Sequence, residues 1–307
     1  MKVAVYGAGG VGAYFGGRLA AAGADVHLIA RGEHLRALRN DGLTVESIHG
    51  DFHVDLPATD DPADVGPVDY VLFCVKSFDT ADAAARLEPM LHDETAVVSL
   101  QNGVDNEEQI ADEVGWDHVM GGVAYIFSTI AEPGVVEHTG GPAEIVFGEM
   151  DGTRSDRAER FLAACDDAGF DATLSEDVES VLWDKYTFIC AQAGMTAAVR
   201  RPVGDIRDVP ESWAMFQDVL SEVTAVADAE GVALPDDTVA KWVGFAEDLE
   251  PGAYSSLHYD MTHGKRMELE ALFGVLTRRA ADHGVDVPMS DAIYGVLRPW
   301  AVHNERD

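Results

Sequence analysis

The sequence predicts an α/β protein with a doubly wound sheet in its N-terminal half and an all-α second domain. Three observations predict this. Short apolar runs rich in Val and Ile alternate with helical patterns over the first half of the chain. A glycine cluster joins the first of those runs to the first helix. From about Glu176 the strand patterns stop and long helical patterns follow, punctuated by Gly and Pro at "RRPVG", "ALPDD" and "LEPGA". The boundary is therefore expected near residue 175, giving domains 1–175 and 176–307.

In order, "KVAVYG" reads as a buried strand, "GGRLAAAGA" as a helix ended by Gly23, and "DVHLIA" as a second strand. Further strands are expected at "VDYVLFCV", "TAVVSL", "HVMGGVAYIF" and "AEIVFGE", with helices such as "TADAAARLEPML" and "NEEQIADEV" between some of them. Strands alternating with helices predict a parallel sheet. A helix at "RSDRAERFLAACDDAG" and a short strand at "FDATL" close the first domain. The second holds helical patterns at "VESVLWDKYTFICAQAGMTAAV", "WAMFQDVLSEVTAVADAEG", "DTVAKWVGFAEDL" and "SSLHYDMTHGKRMELEALFGVLTRRAADHG".

Composition narrows the function. With 55 acidic against 21 basic residues the net charge is −34, which argues against nucleic acid or an anionic membrane as partner. Such a surface suits a protein kept soluble in concentrated salt, so a halophilic source is expected, with a general acidic surface as the alternative. The three cysteines, Cys74, Cys165 and Cys190, have no CxxC spacing and read as reduced core thiols. The eleven histidines form no HxxxH or HExxH pattern, so no metal is expected. The chain starts on a strand rather than a signal sequence, and no apolar run approaches the ~18 residues of a membrane span. A cytoplasmic protein is expected.

"GAGGVG", residues 7–12, fits G-x-G-x-x-G between a strand and a helix. Gly7 permits the tight turn, Gly9 lets the backbone approach a pyrophosphate, and Gly12 permits close helix–strand packing. Ala8, Gly10 and Val11 lie in the same loop and first helical turn, whose N–H groups and dipole favour phosphate. A Rossmann-like dinucleotide site is expected, with an empty structural turn as the plainer reading. An NAD binder usually ends its second strand with an acid that accepts from the ribose hydroxyl. Here the strand ends "LIARG", and the Arg31 guanidinium instead suits a 2′-phosphate, so NADP(H) is the expected cofactor. The plainer reading is that Arg31 begins a solvated helix. Lys76 ends another apolar strand, at the edge where such sheets bind ligands, and is a second phosphate candidate. Asn102, in "SLQNGVDN", either shapes a tight turn or aims its amide at nicotinamide ribose or substrate.

In the second domain, Lys185 heads an apolar stripe that it shares with Ile189 and Ala193. Desolvation there lowers an ammonium pKa and makes a better proton donor, which carbonyl reduction by hydride needs. A lysine snorkelling at the edge of an apolar face is the plainer reading. Glu268 is expected on one helix face with Leu272 and Val275, placed either to pair with a catalytic lysine or to pair along its own helix. Ser255 and Ser256 begin a helix, where serine caps backbone N–H groups by default and can also help bind a carboxylate.

Taken together, "GAGGVGAYFGGRLA", "IARG", "CVKSFDT", "QNGVDN", "VLWDKYTFICAQAGMTAAVRRPVGDI" and "YSSLHYDMTHGKRMELEALFGVLTRRAADHGVDVP" resemble the ketopantoate reductase (2-dehydropantoate 2-reductase) family, nearly end to end. The resemblance implies NADPH-dependent reduction of a 2-keto acid, in this family ketopantoate to pantoate for pantothenate and coenzyme A biosynthesis. It implies NADP-binding roles for Gly7 to Gly12, Arg31 and Lys76, and a place for Asn102 near nicotinamide and substrate. Lys185 is implied as proton donor, Glu268 as the active-site glutamate, Ser256 as the carboxylate-binding serine, and a homodimer as the assembly. The sequence departs from the family where substrate-binding asparagines are expected: Ile189, Ala193 and Val203 stand there, with Gln192, Thr196 and His258 as possible substitutes. Two other readings stay open, a reductase of the same scaffold for another keto acid and a non-catalytic NADP(H) sensor.

Overall fold

The computed structural model describes residues 1–305. The chain forms two compact units, one of Met1–Gln101 with Asn106–Val178, the other of Asn102–Asp105 with the chain from Glu179 onward.

In the first unit the elements run β1 Lys2–Tyr6, α1 Gly10–Ala21, β2 Asp25–Ile29, α2 Gly32–Asp41, β3 Leu43–Ser47, β4 Phe52–Val54, β5 Ala58–Thr59, β6 Tyr70–Phe73, α3 Thr80–Ala84, β7 Ala96–Ser99, α4 Asn106–Val114, β8 Val119–Glu132, β9 Val135–Glu149, α5 Asp156–Asp167 and β10 Ala172–Leu174. One sheet holds all ten strands, in the order β4-β3-β9-β8-β7-β6-β1-β2-β5, with β10 beside β9. From β5 to β8 every neighbouring pair is parallel. Both faces of this part are covered, which is why its strands read as unbroken apolar runs. Val3, Val5, Leu72 and Val98 point into one core, and Ala4, Tyr6, Phe73 and Val97 into the other. The alternation follows the period of two along a strand.

The rest of the sheet is mixed, whereas strand–helix alternation predicted a parallel one. β8 and β9 form a long antiparallel hairpin turned at Pro133-Gly134, where Gly134 takes φ +83°. β3 joins β9 in parallel and carries β4 antiparallel at the edge. The three strands that the sequence pattern misses, β3 to β5, are two to five residues long and partly polar, too short for an alternation to register. α1 packs against β1 to β4, β8 and β9, so the sheet curls around it.

The second unit contains α6 Val178–Val199, α7 Val203–Arg207, α8 Pro210–Ala229, α9 Thr238–Asp248, α10 Ser256–Thr262, α11 Val275–His283 and α12 Pro288–Asn304. The single pattern expected over 255–284 is broken. α10 stops at Thr262, Gly264 takes φ +65°, residues 265–268 run outside any helix, and a π-helical turn, Glu270–Gly274, leads into α11. No helix among the described residues is long and apolar enough to cross a membrane.

A buried ion pair closes the first unit. Arg157 binds Glu149 bidentately at 2.7 and 2.6 Å, with side chains only 13% and 8% exposed, and Ser155 donates to the same carboxylate at 2.5 Å. Removing one partner leaves an uncompensated buried charge. Arg157→Met is expected to lower unfolding free energy by about 3–5 kcal/mol, read from denaturant midpoints; a loss below about 1 kcal/mol would refute the pair's structural weight.

Candidate active site

The glycine loop is shaped by close approach. Gly7 takes φ +96°, and a Cβ there would lie 2.7 Å from the backbone of Cys74 and Val75. A Cβ on Gly12 would meet the Gly7 carbonyl at 2.5 Å. Beside Gly9 nothing lies within 4 Å. The α1 N-terminus has no side-chain cap and no acid in its first turn. Open space at Gly9, undiverted N–H groups and the positive helix end together fit a dinucleotide pyrophosphate.

His34 steadies this loop, and nothing in the sequence pattern pointed to it. Its Nδ1 accepts the Gly134 N–H at 3.0 Å, so Nε2 carries the proton and donates to the Ala8 carbonyl at 2.8 Å. Burial holds the His34 pKa below its ordinary value, which favours this neutral form. The signal is a contact between residues 100 apart in sequence, invisible to local reading.

Arg31 stands at the end of β2, just before α2, with its side chain 81% exposed. Its Nη2 donates to Asp79 at 2.5 Å. Lys76 is also exposed, beyond the end of β6, and begins the turn in which Asp79 N–H donates to the Lys76 carbonyl at 2.8 Å. The two cations thus flank one turn at the carboxyl ends of β2 and β6, the parallel strands on either side of β1.

Lys185 and Asn102 come together although 83 residues separate them. The Lys185 Nζ donates to Asn102 Oδ1 at 3.0 Å. Burial pulls the Lys185 ammonium down to about 8, and the nearby Glu268 carboxylate opposes that shift. Glu268 lies ahead of the π-helical turn, not inside a helix as expected, and its carbonyl accepts the Leu272 N–H at 3.2 Å. The Leu272 carbonyl in turn accepts from the Tyr186 hydroxyl. One residue, Leu272, therefore ties Lys185's neighbour to Glu268. Glu270 is engaged elsewhere, with Tyr294 at 2.8 Å and with Arg278 and Arg298 at 3.4 Å.

Arg279 fastens the Asn102 loop. It donates to the Val104 carbonyl at 3.3 Å and to Glu230 at 2.8 Å, and lies over the Trp183 ring. Arg279 and Tyr186 were not singled out from sequence, since each looks like an ordinary helix residue until its partner is known.

Of the two serines before α10, Ser255 is the cap: its hydroxyl accepts the His258 N–H at 3.1 Å and meets Thr196 Oγ1 at 2.7 Å. Ser256 is exposed as the first helical residue and is not consumed by capping. Thr196 is occupied by this bond, and Ala193 and Val203 are buried. His258 stacks on Tyr254 at 4.2 Å.

The sequence profile described as "Ketopantoate reductase PanE/ApbA" matches residues 3–152, and that described as its C-terminal part matches residues 177–301. A 2-dehydropantoate 2-reductase of Halobacterium salinarum is 32% identical over 300 residues, covering 97% of this chain and 98% of that one. An uncharacterized oxidoreductase of Bacillus subtilis is 29% identical over 304 residues, covering 98% and 99%. Among solved structures, a PanE/ApbA family ketopantoate reductase from Ralstonia eutropha superposes with a TM-score of 0.92 at 36% identity, covering 99% of this chain and all of that one. With both halves of the chain matched and a glycine loop shaped for a dinucleotide, this protein belongs to the ketopantoate reductase family of oxidoreductases.

Proposed function

We propose that the chain catalyses NADPH-dependent reduction of a 2-keto acid to the 2-hydroxy acid, with 2-dehydropantoate reduced to pantoate, a step of pantothenate synthesis. The observation that carries this reading is the half-buried Lys185, bonded to Asn102 and electrostatically coupled to Glu268. A nicotinamide held by the glycine loop would supply the hydride for the keto carbon. Lys185 gives its proton to the keto oxygen as negative charge develops there. Asn102 accepts one N–H of the ammonium and so fixes its orientation, while Glu268 keeps it charged. Ser256 serves the substrate carboxylate. Gly7, Ala8, Gly9, Gly10, Val11 and Gly12 hold the pyrophosphate, and Arg31 and Lys76 supply cations for a 2′-phosphate. Arg279 acts through the Asn102 loop and is a positioning residue.

The direct test is NADPH oxidation with 2-dehydropantoate, run at high salt where the charge of −34 is screened. No turnover with any 2-keto acid would favour a dinucleotide sensor instead. Lys185→Ala should lower kcat by about 10²- to 10⁴-fold while NADPH still binds by fluorescence; near-normal kcat would sink the mechanism. Because reduction needs the ammonium, kcat should fall as pH rises through about 8, and alcohol oxidation, which needs the neutral amine, should rise over the same interval. Arg31→Asp should shift preference from NADPH towards NADH by on the order of 10- to 100-fold, measured as the ratio of dissociation constants, and an unchanged ratio would reject the phosphate role. Arg279→Met should cut kcat about 10- to 100-fold without weakening NADPH binding, since it frees the Asn102 loop; an unchanged kcat would show that the loop holds its place without it.

A further inference from the structure

Every residue of α6 from 182 to 197 is buried except two, Lys185 and Ile189. They are four residues apart, so they share a face and are separated by about 6 Å along the axis. The surface that this helix offers is therefore an ammonium with a branched aliphatic group one turn away. Gln192, seven residues on from Lys185, is buried and lies about 10 Å along the axis. A group attached to the carbon next to the keto carbon sits within a few bond lengths of the oxygen that Lys185 protonates, and thus reaches Ile189 before Gln192. Ile189 offers that group methyls and neither donor nor acceptor.

We propose that Ile189 sets the substrate class: the site takes 2-keto acids whose C3 branches are apolar and does not recognise a hydroxyl there. This rests on the keto-acid reductase reading and sharpens it. 2-Dehydropantoate carries two methyls and a hydroxymethyl on C3, and 3,3-dimethyl-2-oxobutanoate is the same acid with a hydrogen in place of that hydroxyl. A site that hydrogen-bonds a hydroxyl rejects the analogue lacking it by about 10⁴- to 10⁵-fold, whereas an apolar pocket disfavours the added hydroxyl by only about 10²-fold. Reduction of 2-dehydropantoate thus persists in this chain, without being preferred.

The test compares kcat/KM for the two acids with NADPH. Wild type should favour 3,3-dimethyl-2-oxobutanoate by between 1- and about 100-fold. Ile189→Asn should move the ratio towards 2-dehydropantoate by about tenfold or more, with NADPH affinity by fluorescence unchanged. Ile189→Thr keeps the β-branch, adds a hydroxyl and should move the ratio the same way should the Asn variant fail to fold. A wild-type preference for 2-dehydropantoate of 10²-fold or more, or a ratio indifferent to both folded variants, would overturn the assignment. Failure to reduce either acid would instead count against the reductase reading, so the two failures are distinguishable.

Discussion

The second unit is arranged around one ammonium group held inside a helix that is otherwise almost wholly buried. An unpaired charge in such surroundings neutralises or drags in water. Lys185 instead has an amide oxygen at 3.0 Å and a carboxylate near enough to oppose the effect of burial. Each partner must be brought from far along the chain, and each is then secured by a further contact. Arg279 secures the loop of Asn102, and the backbone of Leu272, gripped by Tyr186, secures the segment of Glu268. The π-helical turn follows from the same requirement. A regular helix running through Glu268 would have carried its side chain around with the 3.6-residue period, whereas the broken path lets residue 268 be placed independently of the helix that follows. π-turns recur at functional sites for such reasons.

The scarcity of positive charge makes the placement of each cation informative. Among 21 basic residues, Arg157 and Arg279 are at most 18% exposed and neutralise the buried Glu149 and the partly buried Glu230, while Arg31 lies open at a strand end. In an acidic chain a single guanidinium at a sheet edge is a local reversal of the surrounding potential, and its pairing with Asp79 keeps it in place without burying it.

What the sequence made legible follows from range. The glycine loop, the end of β2 and the lysine on α6 were readable because strand, turn and helix signals act within about ten residues. The parallel half of the sheet was readable for the same reason. The antiparallel β8–β9 hairpin turned the expectation of a parallel sheet into a mixed one, because two apolar strands do not state their relative direction. Glu268 was picked out, but its helix was not broken in the reading: Met267 and Leu269 carry the apolar signal across a break that only Gly264 hints at. His34, Tyr186 and Arg279 act on partners 26 to 175 residues away, and no local pattern reports such pairs.

The loop Asn102–Asp105 is flanked on both sides by the first unit yet belongs to the second. The two units are therefore not two consecutive stretches of chain. Cutting at Val178 would give a helical fragment whose lysine lacks its amide partner and whose Arg279 lacks the Val104 carbonyl. The order of synthesis matters as well. Residues 102–105 leave the ribosome long before α11, and the contact that fastens them spans 175 positions. During translation this loop is made long before Arg279, and the surroundings of Lys185 are completed only when the late helices have been made.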